Sequence, residues 1–418
     1  MFIYYNKDNY TIPVKKIIRL YTNATYINYP KMKEIRKELF KARRLYKNEK
    51  FDEALEIFDR HYKNHPELFH IGFRTSYAWA IYKRYAMNFK SDEILFKSVE
   101  RITEITSQQD LNKEDVCIYT IAVLKVIRHL KRQQDYHSLP YWLEKLDPML
   151  LRDVQTENDG RTKQSDREYY FEVASMAYYN CWDYERCADV TKAALDSVEN
   201  FVGKSETYHK WRLGKSLRET NRPFEALEYL TEIADIAGDW FIYNEIAEIY
   251  FRLGKPDMAL DYLCPAVLSD EPLSSKFKIY HLIFKILNER NSDWALMHGQ
   301  LYYILMREKG YDVPYDIETL GLDDAELDKS EILNQIHEVW TQYRFKDQKL
   351  QHGTVSKFFT DRNYGFITTE NDASIFFHKD EFEGDMVHIG QLVSFYTESS
   401  FDNVKNEKSV KAVYVRGE

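Results

Sequence analysis

The chain has 418 residues, of which 44% are hydrophobic and 30% are charged, enough for two or three domains with a sizeable core. It has no run of about 18 apolar residues, and residues 1–7 lack the features of a signal peptide. The sequence therefore predicts a soluble, cytoplasmic protein and excludes a membrane-spanning one. The four cysteines, at positions 117, 181, 187 and 264, form no Cys-x-x-Cys pair, which argues against zinc and favours a packing role.

The net charge of −9 conceals a basic N-terminal part. Residues 1–50 contain 13 Lys and Arg against 4 Asp and Glu, a balance of +9, whereas residues 351–418 contain 7 against 11, a balance of −4. The N-terminal excess could neutralise phosphates or dock an acidic partner. No firm structure is predicted for residues 1–30, where a short strand or an extended cap is possible.

A basic amphipathic helix is predicted over residues 31–50. Met32, Ile35, Leu39, Ala42 and Leu45 recur at intervals of three or four residues and line one side of this helix. Lysine and arginine take most of its remaining positions. Two interpretations stay open for this surface, a contact with nucleic acid or a solvated helix face.

Internal repeats follow, each with a helix, a tight turn and a second helix. Small residues recur where the two helices would cross, aromatic residues stand beside them, and Gly or Asn ends the first helix. The clearest copies are Ala247, Tyr250, Gly254, Ala259, Tyr262 and Ala266; Gly214, Leu217, Asn221, Ala226, Tyr229 and Ile233; Ser175, Tyr178, Cys187 and Ala194; and Ala42, Leu45, Phe51, Ala54, Phe58 and Pro66.

These segments resemble tetratricopeptide (TPR) repeats. The resemblance implies about seven helix pairs over residues 31–308, stacked as a right-handed solenoid whose concave groove binds protein segments. An unrelated helical array is the alternative. Residues 309–350 are expected to form an acidic linker, in which a helix over residues 326–345 caps the last pair.

No constellation of catalytic or metal-binding residues is apparent. His61, His65 and His70 straddle Pro66, so their rings are not expected to share a rigid face. The acidic run that begins at Asp312 lacks the glycine and the ordered ligands of a calcium loop. There is no phosphate loop, Gly-x-Ser-x-Gly elbow or His-Glu-x-x-His helix. A protein without catalysis, cofactor or metal is therefore expected.

The C-terminal residues 351–418 are predicted to form short strands separated by turns. Period two places Tyr364 and Phe366 on one face of a strand, and Phe376 and His378 on one face of the next. Flat rings on a sheet are platforms on which unpaired bases stack. Five strands suited to a small closed barrel are predicted at 353–359, 364–368, 374–377, 392–397 and 409–415.

This segment resembles the bacterial cold-shock domain, an OB-type barrel that binds single-stranded RNA or DNA. The shared motifs are Gly353-Thr354-Val355, Arg362-Asn363-Tyr364-Gly365-Phe366-Ile367, Ile375-Phe376-Phe377-His378-Lys379 and Gly390-Gln391-Leu392-Val393-Ser394-Phe395. Two positions depart from the family. In an alignment without gaps, Lys357 stands where the family has its first-strand Trp, and Phe358 stands at the family's neighbouring Phe. A one-residue shift would instead put Phe358 at the Trp position and Phe359 at the Phe position. Phe358 is expected to face the ligand in either case. The closing aromatic of the second motif is Lys379.

The fold class predicted is a mainly α protein, a TPR-like solenoid followed by a five-stranded OB-type barrel. The resemblance implies a non-catalytic adaptor that binds single-stranded RNA, or DNA, through the barrel and a protein partner through the solenoid. The alternative is a protein-interaction scaffold whose barrel no longer binds nucleic acid. No membrane or small-molecule partner is expected. The predicted nucleic-acid-binding residues are Lys357, Phe358, Tyr364, Phe366, Phe376, His378 and Lys379.

Overall fold

The computed structural model describes residues 14–111, 116–158, 160–323, 327–384, 386–402 and 407–418. Its contacts divide the chain into two compact units, with the boundary after Ile233. The first unit is helical with one small β-hairpin. The second contains further helices and a β-barrel.

The first unit is built from successive helices of 5 to 34 residues. The hairpin formed by β1 and β2 was not predicted from the sequence. The helices are α1 Val14–Lys47, α2 Phe51–Tyr62, α3 Ile71–Ile81, α4 Asp92–Ile105, α5 Ile118–Gln133, α6 Leu139–Leu143, α7 Asp166–Asn180, α8 Tyr184–Ser197, α9 Ser205–Glu219 and α10 Pro223–Ala237, which spans the unit boundary, and the strands are β1 Thr156–Asn158 and β2 Arg161–Lys163.

The second unit begins with helices and ends with strands. Its helices are α11 Trp240–Arg252, α12 Pro256–Leu268, α13 Leu273–Glu289, α14 Ala295–Lys309, α15 Tyr315–Glu318 and α16 Lys329–Arg344. Its strands are β3 Gln351–Phe359, β4 Tyr364–Thr369, β5 Ser374–His378, β6 Phe382–Glu383, β7 Leu392–Asp402 and β8 Glu407–Gly417.

Four helical hairpins share one turn geometry. In each, a residue with positive φ stands two positions before the second helix, namely Glu49, Trp182, Asn221 and Gly254. The next amide donates back to a carbonyl of the first helix, Lys50 N to Leu45 O at 2.9 Å and Lys255 N to Tyr250 O at 2.9 Å, for example. This is the Schellman termination of a helix. Because the turns coincide with the sequence repeats, the helical part is TPR-like, as predicted.

Small residues bring the paired helices close together. Ala54, Cys187, Ala226 and Ala259 occupy equivalent positions in the second helices, and all four are fully buried. At Gly214 in α9, an added Cβ would lie 2.4 Å from Leu230 Cγ of α10. A side chain at this crossing would force the two helices apart.

No firm structure was predicted for residues 1–30, and the short strand considered there is not found in residues 14–30. Residues 1–13 lie outside the described part of the chain, but the backbone of residues 14–30 is helical and continues into the predicted basic helix as α1. The spacing of Val14, Ile17, Ile18 and Tyr21 is typical of a helix. The density of tyrosines, which favour strands, obscured this pattern.

Helix α16 lies within the segment predicted to be helical and packs on α12 and α14. Ile332, Ile336 and Trp340 are buried against those helices. The indole Nε1 of Trp340 donates to Nε2 of buried His298 in α14 at 2.7 Å. A direct side-chain bond therefore ties α16 to α14.

The C-terminal strands form a closed five-stranded barrel, which confirms the predicted fold class. Its strand order is β5-β4-β3-β7-β8, and β5 also pairs with β8 to close the ring. The short strand β6 runs parallel to β8. The core is apolar and consists of Val355, Ile367, Ile375, Phe377, Phe382, Val393, Phe395, Ala412 and Val415.

The barrel is attached to α16 through Phe345, the residue that directly follows this helix. Phe345 is 3% exposed and stacks on Tyr396 of β7, with ring centroids 4.2 Å apart and planes at 6°. Tyr414 of β8 meets Phe345 edge-on at 5.4 Å, and Arg344 forms an ion pair with Glu398. The β7–β8 side of the barrel is therefore covered, whereas the β3–β4–β5 side carries the predicted aromatic residues.

Candidate nucleic-acid interface

Four aromatic side chains form a continuous surface on β3, β4 and β5. The ring centroids of Tyr364 and Phe366 are 5.9 Å apart, and those of Tyr364 and Phe376 are 5.5 Å apart. Phe366 also contacts Phe376 at 5.9 Å, and Phe359 contacts Tyr364 at 5.1 Å. We call Phe359, Tyr364, Phe366 and Phe376 the aromatic face.

Strand register directs these rings outward. Tyr364 pairs with His378, and Phe366 pairs with Phe376, across the antiparallel β4–β5 ladder. The alternate residues Ile367, Ile375 and Phe377 are buried in the core, as period two requires. His378 therefore lies beside Tyr364, and the structure brings together four of the residues predicted from the sequence.

Two tight turns hold the three strands in this register. Asn363, with φ of +52°, completes the β3–β4 turn, and Asp372, with φ of +60°, completes the β4–β5 turn. The amide of Lys379 donates to the Asn363 carbonyl at 2.8 Å, which joins the end of β5 to the first turn. The aromatic face thus stands on a sheet that is fixed at both ends.

The structure corrects the placement of Phe358. It pairs with Gly365 on the inner side of the sheet, packs against the core and stacks on buried Phe377 at 6.1 Å. A register shift between Val355 and Lys357 decides which of the following side chains face outward. Phe359, 39% exposed, takes the outward position that was expected for Phe358.

The sequence could have indicated this only through its two adjacent phenylalanines. Consecutive strand residues face opposite sides, so one of Phe358 and Phe359 had to point inward. The β-bulge that determines which one does so leaves no mark in a single sequence. The residue missed by the sequence analysis is therefore Phe359.

The predicted cations occupy different settings. Lys357 pairs with Phe366 across the strands and is exposed next to the aromatic face. Lys379 instead donates from Nζ to the Gly384 carbonyl at 2.7 Å and lies over the Phe382 ring. His378 Nδ1 lies 2.9 Å from Asp380 Oδ2. Of the two predicted lysines, Lys357 is therefore the one without a bonded partner in the described part of the chain.

The three histidines considered as metal ligands have separate partners. His61 pairs with Glu38, His65 with Glu67, and His70 accepts a bond from the Gly72 amide. In the described ranges, no group of three or more His, Cys, Asp or Glu residues is arranged to hold a metal ion. Nor is any helix in those ranges long and apolar enough to cross a bilayer.

These features define a class: a helical-repeat protein that carries an OB-type barrel with an outward-facing, half-buried aromatic face. The family model described as "'Cold-shock' DNA-binding domain" matches residues 351–417. This segment is therefore a cold-shock domain, as the motifs predicted, and DNA binding is the property that its family description names.

Comparison with other proteins adds distant structural likenesses. No curated protein matches the sequence. BtubC (BKLC) from P. vanneervenii is 11% identical over 58% of this chain and 92% of its own, with a TM-score of 0.37. Human IFIT1, solved as a dimer with PPP-AAAA, is 9% identical over 71% of this chain and 61% of its own, with a TM-score of 0.34.

The P58(IPK) TPR domain is 13% identical over 65% of this chain and 69% of its own, with a TM-score of 0.25. All three scores lie below 0.5, so the description of the helical part as TPR-like rests on its own hairpins.

Proposed function

We propose that this protein is a non-catalytic adaptor that binds single-stranded RNA, or DNA, by stacking bases on the aromatic face of its cold-shock domain. The helical repeats would hold a protein partner, because stacked helical hairpins commonly form extended binding surfaces. The observation that carries the proposal is the contiguity of the four rings, which stand outward on a sheet held by two turns.

The energy available from stacking is sufficient for binding. Each base stacked on an aromatic ring contributes on the order of 1 to 3 kcal/mol. Four such contacts are comparable with the roughly 8 kcal/mol of micromolar binding, before the costs of association are subtracted. Stacking needs no particular base, so the proposed binding tolerates different sequences.

Electrostatics at the barrel oppose rather than assist this binding. Residues 351–418 carry a balance of −4, counted as 7 Lys and Arg against 11 Asp and Glu. Beside the aromatic face, Asp361 and Asp380 are exposed, with Lys357 nearby. Because few phosphates are neutralised there, the barrel's own contribution to affinity is expected to depend only weakly on salt.

Fluorescence anisotropy with a short labelled single-stranded oligonucleotide tests the proposal. The triple variant Tyr364→Ala, Phe366→Ala, Phe376→Ala removes three of the four rings, and we expect it to lower affinity at least a hundredfold, since each lost stack is worth about tenfold. Thermal melting of the variant checks that the barrel remains folded.

A matched control comes from the same barrel. Ile389, Leu392 and Val410 are 68%, 59% and 51% exposed and lie outside the aromatic face. Their combined change to alanine also removes three large apolar side chains from the barrel surface and should leave binding intact. Equal affinities for both triple variants and the unchanged protein would support the protein-interaction scaffold instead.

A further inference from the structure

A row of cations lies along one face of helix α1. On a helix with 3.6 residues per turn, six basic residues fall within about 60° of Phe40 and extend over about 21 Å. We call this surface the basic stripe. Its residues are Lys33, Arg36, Lys37, Arg43, Arg44 and Lys47.

The charges of the stripe are largely uncompensated. Within the described part of the chain, Lys37 is its one member with an ion-pair partner, Glu34 at 3.2 Å. The remaining acid of this helical segment, Glu38, lies on the other side of α1, where it contacts His61 and Arg60. The side of α1 that carries the stripe therefore has an excess of positive charge.

The positive charge of the stripe also affects a histidine next to the neighbouring helix α3. Burial, and then the positive charges of Arg43 and Arg36, lower the pKa of His70. His70 stands just before α3, and its ring centroid lies 4.1 Å from that of Phe73, with the planes tilted by 34°. Phe73 in turn contacts Phe40 edge-on at 5.1 Å.

Phe40 is the apolar feature at the centre of the stripe. It is 53% exposed although its edge rests on buried Phe73. An exposed aromatic ring flanked by cations suits a nucleic-acid strand, whose bases stack while its phosphates are neutralised.

We propose that the basic stripe is a second nucleic-acid contact, which binds the sugar-phosphate backbone of a single strand and stacks a base on Phe40. The inference rests on the proposed function for its choice of ligand. The acidic barrel offers rings with little positive charge, and the stripe offers six cations around one ring. The two surfaces therefore divide stacking and charge neutralisation between them.

Salt dependence separates the two contacts. The test variant is Lys33→Gln, Arg36→Gln, Arg44→Gln in the full chain, and the probe is a labelled 30-nucleotide oligo(U). Each phosphate contact to a single strand contributes about 0.7 to the slope of log affinity against log salt concentration. We expect the slope to fall in magnitude by about two between 50 and 300 mM NaCl, with at least tenfold weaker binding at 50 mM.

The control changes the same amount of charge elsewhere in the first unit. Lys83, Lys90 and Lys97 are exposed, and their combined change to glutamine should leave slope and affinity unchanged. All six changes lie at exposed positions, and thermal melting checks that each variant is folded. If the stripe variant binds oligo(U) like the control, the inference is overturned.

Two further comparisons identify which idea has failed. The barrel variant with three rings removed should lose affinity and keep its slope. A stripe effect without a barrel effect supports the stripe and contradicts the proposed function, and the reverse result contradicts the stripe alone. If the stripe changes weaken binding of polyglutamate more than of oligo(U), the stripe is a site for acidic polypeptides and the inference is overturned.

Discussion

Gly365 shows how a single residue connects the interior of the barrel to its aromatic face. It stands between Tyr364 and Phe366 on β4, facing inward. A Cβ at this position would lie 2.5 Å from the Lys357 carbonyl oxygen and 2.6 Å from the Phe377 ring. The absence of a side chain therefore lets β3 and Phe377 pack closely beneath the outward rings.

We predict that Gly365→Ala destabilises the barrel by about 1 to 3 kcal/mol, because the carbonyl can move only if the strand shifts. The midpoint of urea denaturation, followed by far-UV circular dichroism, measures the change. Gly390→Ala is not a suitable control, since Gly390 has a φ of +89°. Ser374→Ala at the exposed start of β5 is suitable. A Gly365→Ala variant as stable as Ser374→Ala would contradict the packing described here.

Residue-level predictions succeeded where alternation alone determines direction. Tyr364, Phe366 and Phe376 follow period two without interruption, so their common face could be predicted. Phe358 could not be placed correctly, because the bulge after Val355 depends on tertiary packing. Lys379, one of the predicted nucleic-acid-binding residues, bonds through its side chain to the Gly384 carbonyl, a contact across a turn that sequence spacing does not reveal.

At the scale of elements, one aromatic stack lies at the centre of the link between α16 and the barrel. The rings of Phe345 and Tyr396 lie parallel, with their centroids 4.2 Å apart, and Tyr414 completes the contact. The backbone of Tyr414 has a φ of +50°, a conformation that non-glycine residues rarely adopt. The segment that follows, residues 346–350, is exposed. Attachment of the barrel is therefore a matter of side-chain packing.

We predict that Phe345→Ala loosens the barrel from α16, because it removes a buried ring and leaves a cavity worth about 3 to 5 kcal/mol. Limited trypsin digestion should then cut after Lys346 and Lys349 much faster than in the unchanged protein. Phe359→Ala, which removes a partly exposed ring from the aromatic face, should not accelerate cleavage there. Identical digestion rates for both variants would show that the stack does not hold the barrel.

Elements with strong periodicity could be predicted from the sequence, and short ones could not. The four clear helical hairpins and the five barrel strands followed from helical spacing, turn residues and alternation. The β1–β2 hairpin was missed because strands of three residues carry too little pattern. Strand β6 has two residues and forms only through its pairing with β8.

For the molecule as a whole, buried histidines set a limit on acid stability. His298 is fully buried, donates from Nδ1 to the Trp294 carbonyl at 2.7 Å and accepts from Trp340. Burial lowers its pKa from 6.5 to about 4. In the first unit, burial and then Arg212 lower the pKa of His209 to about 4 as well.

Because both pKa values are depressed, the unfolded chain binds more protons than the folded one below pH 6.5. Each histidine's contribution to stability is complete above pH 6.5 and is lost as the pH falls towards 4, on the order of 3 kcal/mol per group. We therefore predict that urea midpoints fall between pH 7 and pH 5. His209→Leu should make this decline shallower for the first unit, and an unchanged slope would contradict the assignment.

Charge is distributed unevenly along the whole chain. The N-terminal 50 residues carry a balance of +9 and the last 68 a balance of −4, so the surfaces proposed to contact nucleic acid differ in kind. Composition alone revealed this asymmetry. It could not show which cations lack acidic partners, because pairs such as Glu38 with His61 join separate helices.

The most direct test of base stacking on the barrel is ultraviolet cross-linking of the full chain to oligo(U), followed by trypsin digestion and mass spectrometry. Arg362 and Lys379 bound a single tryptic peptide, residues 363–379, which contains Tyr364, Phe366, Phe376 and His378. We predict that nucleotide adducts appear on this peptide and localise to its aromatic residues. Adducts that are absent both from this peptide and from the neighbouring peptide of residues 358–362, which carries Phe359, under conditions where the oligonucleotide is bound, would contradict the proposal.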